Sequence, residues 1–336
     1  MRKTAVCACA LALLAGCATR GGEKNTLSLF AMDTYMSLSA YNDEGGEALD
    51  AAAEELRRLE ALLSVTNEGS DIYALNHSGG TTVELSPETA ELIELSIEIS
   101  DETHGAFDAT LYPITSEWGF TTGNFTVPSD ERLCELMKLT GSDKISLDGN
   151  TATLEKGTQL DLGGIAKGYA GKKAALLLKE SGVSSALLDM GGNIQTIGSK
   201  PDGSDWNVGI KDPLDSAKLV GTVSVSDKAV VTSGGYERYF EQGGTLYSHI
   251  IDPKTGRPAK NGTISATVIG NDGAICDGLS TALFVMTRAE AKDILSQHTD
   301  ISAVIVSDDG SLLVSAALKG NFTPTDDYKE AEIEWV

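Results

Sequence analysis

The chain has 336 residues, with 49 acidic side chains against 26 basic ones, a formal charge of −23 and only four histidines. A surface this acidic repels nucleic acid and anionic lipid, which disfavours nucleic-acid binding. Four histidines leave little material for a multi-histidine zinc site, while the length suffices for one large core or two interlocked lobes.

The first residues read as a processing signal. Met1-Arg2-Lys3-Thr4 is a short basic start, and residues 5–14 are an apolar run too short for a stable bilayer anchor. Leu14-Ala15-Gly16-Cys17 resembles a bacterial lipobox. The expectation is a signal segment over 1–16, lipidation of Cys17, a polar tether to residue 26 and a folded domain over 27–336. Such a protein is exported and held at the bacterial cell membrane by its lipid, on the periplasmic or outer face. Cys134 and Cys276 then remain as distant cysteines, neither a disulfide framework nor a metal-site spacing.

Residues 27–41 alternate loosely and read as one strand carrying Met32-Asp33-Thr34. Ala48, Leu49, Ala52, Leu56, Leu59, Leu62 and Leu63 mark one face of a helix. Residues 67–76 read as a polar connection, and a second helix opens at Ser86-Pro87. Loops with aromatics follow at Gly105-Ala106-Phe107-Asp108 and Trp118-Gly119-Phe120, then a helix over 129–139 and a hairpin about Asp148-Gly149-Asn150. A strand end at Asp161 passes through Gly163-Gly164 into a helix starting near Ile165. Next come a strand over 185–188 ending in Asp189-Met190-Gly191-Gly192-Asn193, three strands over 206–232, and a strand over 247–251 before the turn Asp252-Pro253-Lys254-Thr255-Gly256. A strand over 264–269, helices over 277–286 and 288–297, and a final hairpin about Asp308-Asp309-Gly310 complete the chain. Without a strict βαβ rhythm, α+β is favoured: two interlocked lobes of mixed, largely antiparallel sheet with flanking helices.

Chemistry must rest on carboxylates, hydroxyls and backbone, because no Gly-x-Gly-x-x-Gly, Walker loop, His-Glu-x-x-His or Gly-x-Ser-x-Gly is present. The stretch from Asp161 to Gly168 reads either as a plain strand-to-helix turn with a solvated Lys167 or as a phosphate cradle at a helix start. Asp277 and Thr281, four apart, either cap and pack a helix or converge on Mg²⁺, with a carbonyl of the Gly163-Gly164 turn as a further ligand. His249 is either a hydrogen-bonded structural residue or a group that orients or deprotonates a hydroxyl. Asp108 and Asp161 are ligand acceptors or turn formers, and Met32, Phe107 and Tyr236 wall a flat ring or fill the core.

In order and rough spacing, Met32-Asp33-Thr34, Gly105 to Asp108, Trp118-Gly119-Phe120, Asp161 to Gly168, Asp189 to Asn193, Thr232-Ser233-Gly234, His249 to Gly256 and Asp277-x-x-x-Thr281 resemble the ApbE family of FAD:protein FMN transferases. The resemblance covers nearly the whole chain after the lipobox. It implies FAD in a cleft between lobes and transfer of FMN to a Thr or Ser hydroxyl of a target protein, with AMP released and Mg²⁺ required. It also implies Gly164, Asp277 and Thr281 as metal ligands, and Met32, Ala106, Phe107, Asp108, Asp161, Lys167 and Ile251 as FAD contacts. Asp277 is then catalytic through the metal, and His249 through the phosphates or the acceptor. The partners it implies are FAD and an acceptor flavoprotein, either a membrane redox pump subunit or an exported flavin reductase. Two other activities use the same residues: hydrolysis of FAD to FMN and AMP, and flavin binding without turnover. Ser280 stands where some members carry Asp.

Overall fold

The computed structural model describes residues 24–42 and 45–336, so the expected signal segment, Cys17 and most of the tether lie outside the described residues. Strand β1 (Lys24–Ala31) pairs antiparallel with β2 (Thr34–Tyr41), where the sequence reads as a single strand. The join is the two-residue turn Met32-Asp33, with φ of 49° and 57°. Positive φ at both central residues matches the twist of the flanking strands. Neither residue is Gly or Asn, so the turn is invisible to composition.

Seven more strands extend this hairpin in chain order: β3 (Ala186–Asp189), β4 (Ile194–Ile197), β5 (Ala229–Gly234), β6 (Thr263–Gly270), β7 (Ser302–Ser307), β8 (Leu312–Val314) and β9 (Ile333–Trp335). Neighbours are antiparallel except β8 and β9. Strand alternation assigns the two faces. Val231, Val268 and Ile305 join the core with α1 (Gly45–Leu63), α2 (Pro87–Glu102), α3 (Ala166–Glu180) and α4 (Gly273–Val285). Their neighbours Val230, Ile269, Val304 and Val306 pack on a three-stranded sheet of Trp206–Lys211, Leu219–Val225 and Phe322–Pro324. A third cluster holds Ile114, Trp118, Leu133, Phe240 and Ile251. Trp118 Nε1 donates to the Gly256 carbonyl at 2.9 Å, tying two of the sequence motifs together as framework. The α+β reading, with a largely antiparallel sheet and flanking helices, therefore describes the structure.

Local differences have local causes. Residues 67–76 contain the helix Asp71–Asn76, capped by the Ser70 hydroxyl, which accepts from Tyr73 N–H at 2.9 Å. The expected strand end at Asp161 is a loop held by the isolated bridge Leu111↔Gln159. The strand over 247–251 is split into Thr245–Ser248 and Ile251–Asp252, leaving His249 and Ile250 between. Helix α4 begins at Gly273, capped by Asp272, so Asp277 lies inside the helix and is not its cap. Among the described residues no helix is long and apolar enough to cross a membrane.

Candidate active site

Helix α4 places the two oxygen donors. Asp272 accepts from Ala274 N–H at 2.9 Å and starts the helix, which sets Asp277 and Thr281 one turn apart on one face. Helix α3 crosses α4 so closely that a Cβ on Gly168 would lie 2.0 Å from the Gly273 carbonyl oxygen and 2.7 Å from Asp277 Cβ. Only glycine fits there. The close approach lets Gly168 N–H donate to Asp277 Oδ2 at 2.7 Å.

The loop before α3 supplies the third group. Asp161 N–H bonds the Ala109 carbonyl at 2.8 Å, and its Oδ1 accepts from Gly163 N–H at 2.8 Å, so the carboxylate shapes the turn. Gly164 faces α4: a Cβ built on it would lie 3.2 Å from the Phe107 ring and 3.7 Å from Thr281 Oγ1. Gly164, Thr281 and Phe107 are thus adjacent. The start of α3 is a poorer phosphate cradle than the sequence indicates, because the Ala166 amide bonds Leu162 and the Gly168 amide serves Asp277. The positive charge at this end comes from Lys167.

Burial drives the electrostatics. Asp277 is 5% exposed, and desolvation pushes its carboxyl up to about 6, opposed by Lys167 and the Gly168 amide. Desolvation also raises Asp161, opposed chiefly by its Gly163 hydrogen bond and then by Arg238 and Lys167, and raises Glu237, opposed first by Lys167. His249 is pushed down to about 4 by desolvation, its bond to Arg238 working the other way. Its Nδ1 lies 3.1 Å from the Arg238 carbonyl; a carbonyl only accepts, so Nδ1 carries the proton and Nε2 is a bare acceptor. Arg238 also pairs with Asp33 at 3.7 Å, bringing the Met32-Asp33 turn to the same region, and Met32 N–H is held by Glu60 Oε1 at 2.7 Å.

The residue set divides cleanly. Asp161, Gly164, Lys167, Asp277 and Thr281 converge, with Phe107 packed behind Gly164 and Met32 and His249 linked in through Arg238. Asp108 is turned into its own loop, where Oδ1 accepts from Thr110 N–H at 2.8 Å and Thr110 Oγ1 at 2.6 Å. The side chains of Ala106 and Phe107 are buried in the main core and that of Ile251 in the third cluster, so what these can offer a ligand is main chain. Ser280 is fully buried, and its hydroxyl is engaged within the protein, with the Asp277 carbonyl and with Ser233 Oγ, each at 2.8 Å. Sequence reading missed Glu60, Glu237 and Arg238, each an ordinary charged residue one or more positions outside a Gly-rich signal.

Among the described residues no three His, Cys, Asp or Glu side chains cluster for a metal. The oxygen set of one carboxylate, one hydroxyl and a loop carbonyl still fits Mg²⁺, which needs only one or two carboxylates beside substrate phosphate and water. Among the described residues Asp277 accepts a single hydrogen bond despite its burial, leaving carboxylate capacity for a cation.

The ApbE family profile matches residues 32–305. The chain belongs to the ApbE family. Relatives include the FAD:protein FMN transferase of Klebsiella pneumoniae, 32% identical over 89% of this chain and 94% of its own length, and that of Treponema pallidum, 31% identical over 85% of each. The ApbE protein of Thermotoga maritima superposes with a TM-score of 0.83 at 32% identity, covering 89% of this chain and 99% of its own. The flavin transferase ApbE of Vibrio cholerae gives 0.80 at 28%, over 89% and 99%. The matched residues include Gly164 in the loop before α3, Lys167 in α3 and Asp277 in α4.

Proposed function

We propose that this protein is an FAD:protein FMN transferase that requires Mg²⁺ and attaches FMN to a Thr or Ser hydroxyl of an acceptor flavoprotein, such as a membrane redox pump subunit or an exported flavin reductase. The observation that carries the reading is the meeting of Gly164, Asp277 and Thr281 at the α3–α4 crossing of an ApbE-family chain. Met32, Ala106, Phe107, Asp108, Asp161, Lys167 and Ile251 are the proposed FAD contacts. Lys167 supplies a fixed positive charge for the pyrophosphate. The acceptor oxygen forms a bond to the FMN-side phosphorus as that phosphorus loses the bridging oxygen, which leaves with AMP, and the hydroxyl proton passes to solvent water. Mg²⁺ held by Asp277, Thr281 and the Gly164 carbonyl would neutralise charge on the phosphate oxygens. His249, with a bare Nε2 of depressed basicity, accepts a hydrogen bond and orients the hydroxyl rather than storing its proton.

Export and lipid attachment at Cys17 would keep the enzyme beside acceptors at the membrane. The test is to incubate the protein with FAD, Mg²⁺ and candidate acceptors and weigh the acceptor. An adduct of FMN mass, absent with Asp277→Ala, is the expected result. AMP released with no adduct on any acceptor replaces transfer by hydrolysis, and FAD left intact replaces both by simple binding.

A further inference from the structure

Three hydroxyls beside the proposed cation site form a chain whose direction is determined. Ser280 Oγ lies 2.8 Å from the carbonyl oxygen of Asp277, one turn back in α4. A carbonyl can only accept, so the single Ser280 proton is on that bond. Ser233 Oγ, on β5, lies 2.8 Å from Ser280 Oγ. With the Ser280 proton already placed, Ser233 must be the donor in this contact. Ser233 Oγ also lies 3.2 Å from Thr281 Oγ1. The Ser233 proton being committed, the donor here is Thr281. The chain runs Thr281 to Ser233 to Ser280 to the Asp277 carbonyl.

We infer that Ser233 and Ser280 are positioning residues that hold the Thr281 hydroxyl as a pure acceptor toward the cation. A hydroxyl with a free rotor can point its proton at a divalent cation and must reorient before it binds. Here the proton is drawn toward β5, and Thr281 presents lone pairs beside Gly164. The same chain ends on the main-chain carbonyl of Asp277, so the Thr281 hydroxyl is tied to the turn of α4 that carries the other side-chain ligand. Ser233 thereby acts through Thr281 without touching the cation. The inference rests on the metal-site reading above, and its test separates the two.

The experiment measures Mn²⁺ binding to the full-length protein by electron paramagnetic resonance, with ADP present as a pyrophosphate. Ser233→Ala is expected to weaken Mn²⁺ about tenfold, and Ser233→Thr, which keeps the hydroxyl, to restore it. Thr281→Val weakens it as well, and the double variant Ser233→Ala with Thr281→Val loses no more than Thr281→Val alone. A merely structural Ser233 would lower the metal-free melting temperature and leave Mn²⁺ affinity unchanged. Wild-type affinity in Ser233→Ala, or additive losses in the double variant, overturns the inference. Wild-type affinity in Asp277→Asn overturns the metal site itself.

Discussion

The Gly168 amide and the Asp277 carboxylate meet at 2.7 Å across the crossing of α3 and α4, so the packing of two helices and the aim of the carboxylate are one feature. A methyl group on Gly168 would sit 2.0 Å from the Gly273 carbonyl oxygen, inside any permitted contact. Gly168→Ala is therefore expected to destabilise the protein by about 2–3 kcal/mol through overpacking and to lose FMN transfer more than stability alone explains. Urea midpoints and acceptor labelling on the same preparation check both; an undiminished midpoint contradicts the crossing geometry.

The raised carboxyl of Asp277 has a cost that depends on pH. Burial moves it from the usual 3.8 to about 6. Between those values the folded protein binds a proton that the unfolded chain has released, so metal-free stability falls as pH rises through this window. Above pH 6 the full cost, about 3 kcal/mol, is in force. Asp277→Asn, which can still accept from Gly168, should be the more stable protein in EDTA at neutral pH and equal to wild type near pH 3.8. Melting curves across that range test the sign.

His249 titrates in the opposite sense. Desolvation lowers it from 6.5 to about 4, so the folded protein binds fewer protons than the unfolded chain between those values. Its contribution to stability is complete above pH 6.5 and is lost as pH falls toward 4. His249→Gln should flatten that part of the stability profile. It should slow transfer about tenfold without changing the shape of the rate profile between about pH 5.5 and 8, because the imidazole stays neutral there. A rate inflection near 6.5 that disappears in the variant would show His249 acting as the base.

Trp118 is expected to be framework. Replacing it by Phe removes the Nε1 donor to the Gly256 carbonyl and should cost about 1–3 kcal/mol, while FAD affinity and labelling of the folded fraction persist. A selective loss of FAD binding would instead place the Trp118 region at the ligand.

Much of this was legible in the residues. Apolar spacing marked α1, and Asp148-Gly149-Asn150 marked its hairpin, because helix faces and tight turns leave local signals. The Met32-Asp33 turn left none, since its positive φ angles fall on residues that do not advertise them and are held by distant partners, Glu60 and Arg238. The strands β4 and β9 are too short to show a period of two. At the site, glycines and the Asp277-Thr281 spacing were visible. The helix start at Gly273 was not, and with it went the distinction between a capping aspartate and a ligand. Ser233 could be noted in its motif, but its role depends on which helix faces it across the sheet.

The sheet adds its strands in chain order, yet 144 positions separate the end of β2 at Tyr41 from the start of β3 at Ala186, if both ends are left out of the count. A ribosome working from the N-terminus therefore releases the β1–β2 hairpin long before its neighbour exists. Until then the hairpin packs on α1, and Leu29, Met36 and Leu38 wait for the later parts of their core. Because α3 lies at the end of the same excursion and α4 comes later still, the chemistry cannot be assembled until most of the chain has been made. A chain ending before α4 would carry the Met32-Asp33 turn but neither Asp277 nor Thr281, and so not the proposed cation site.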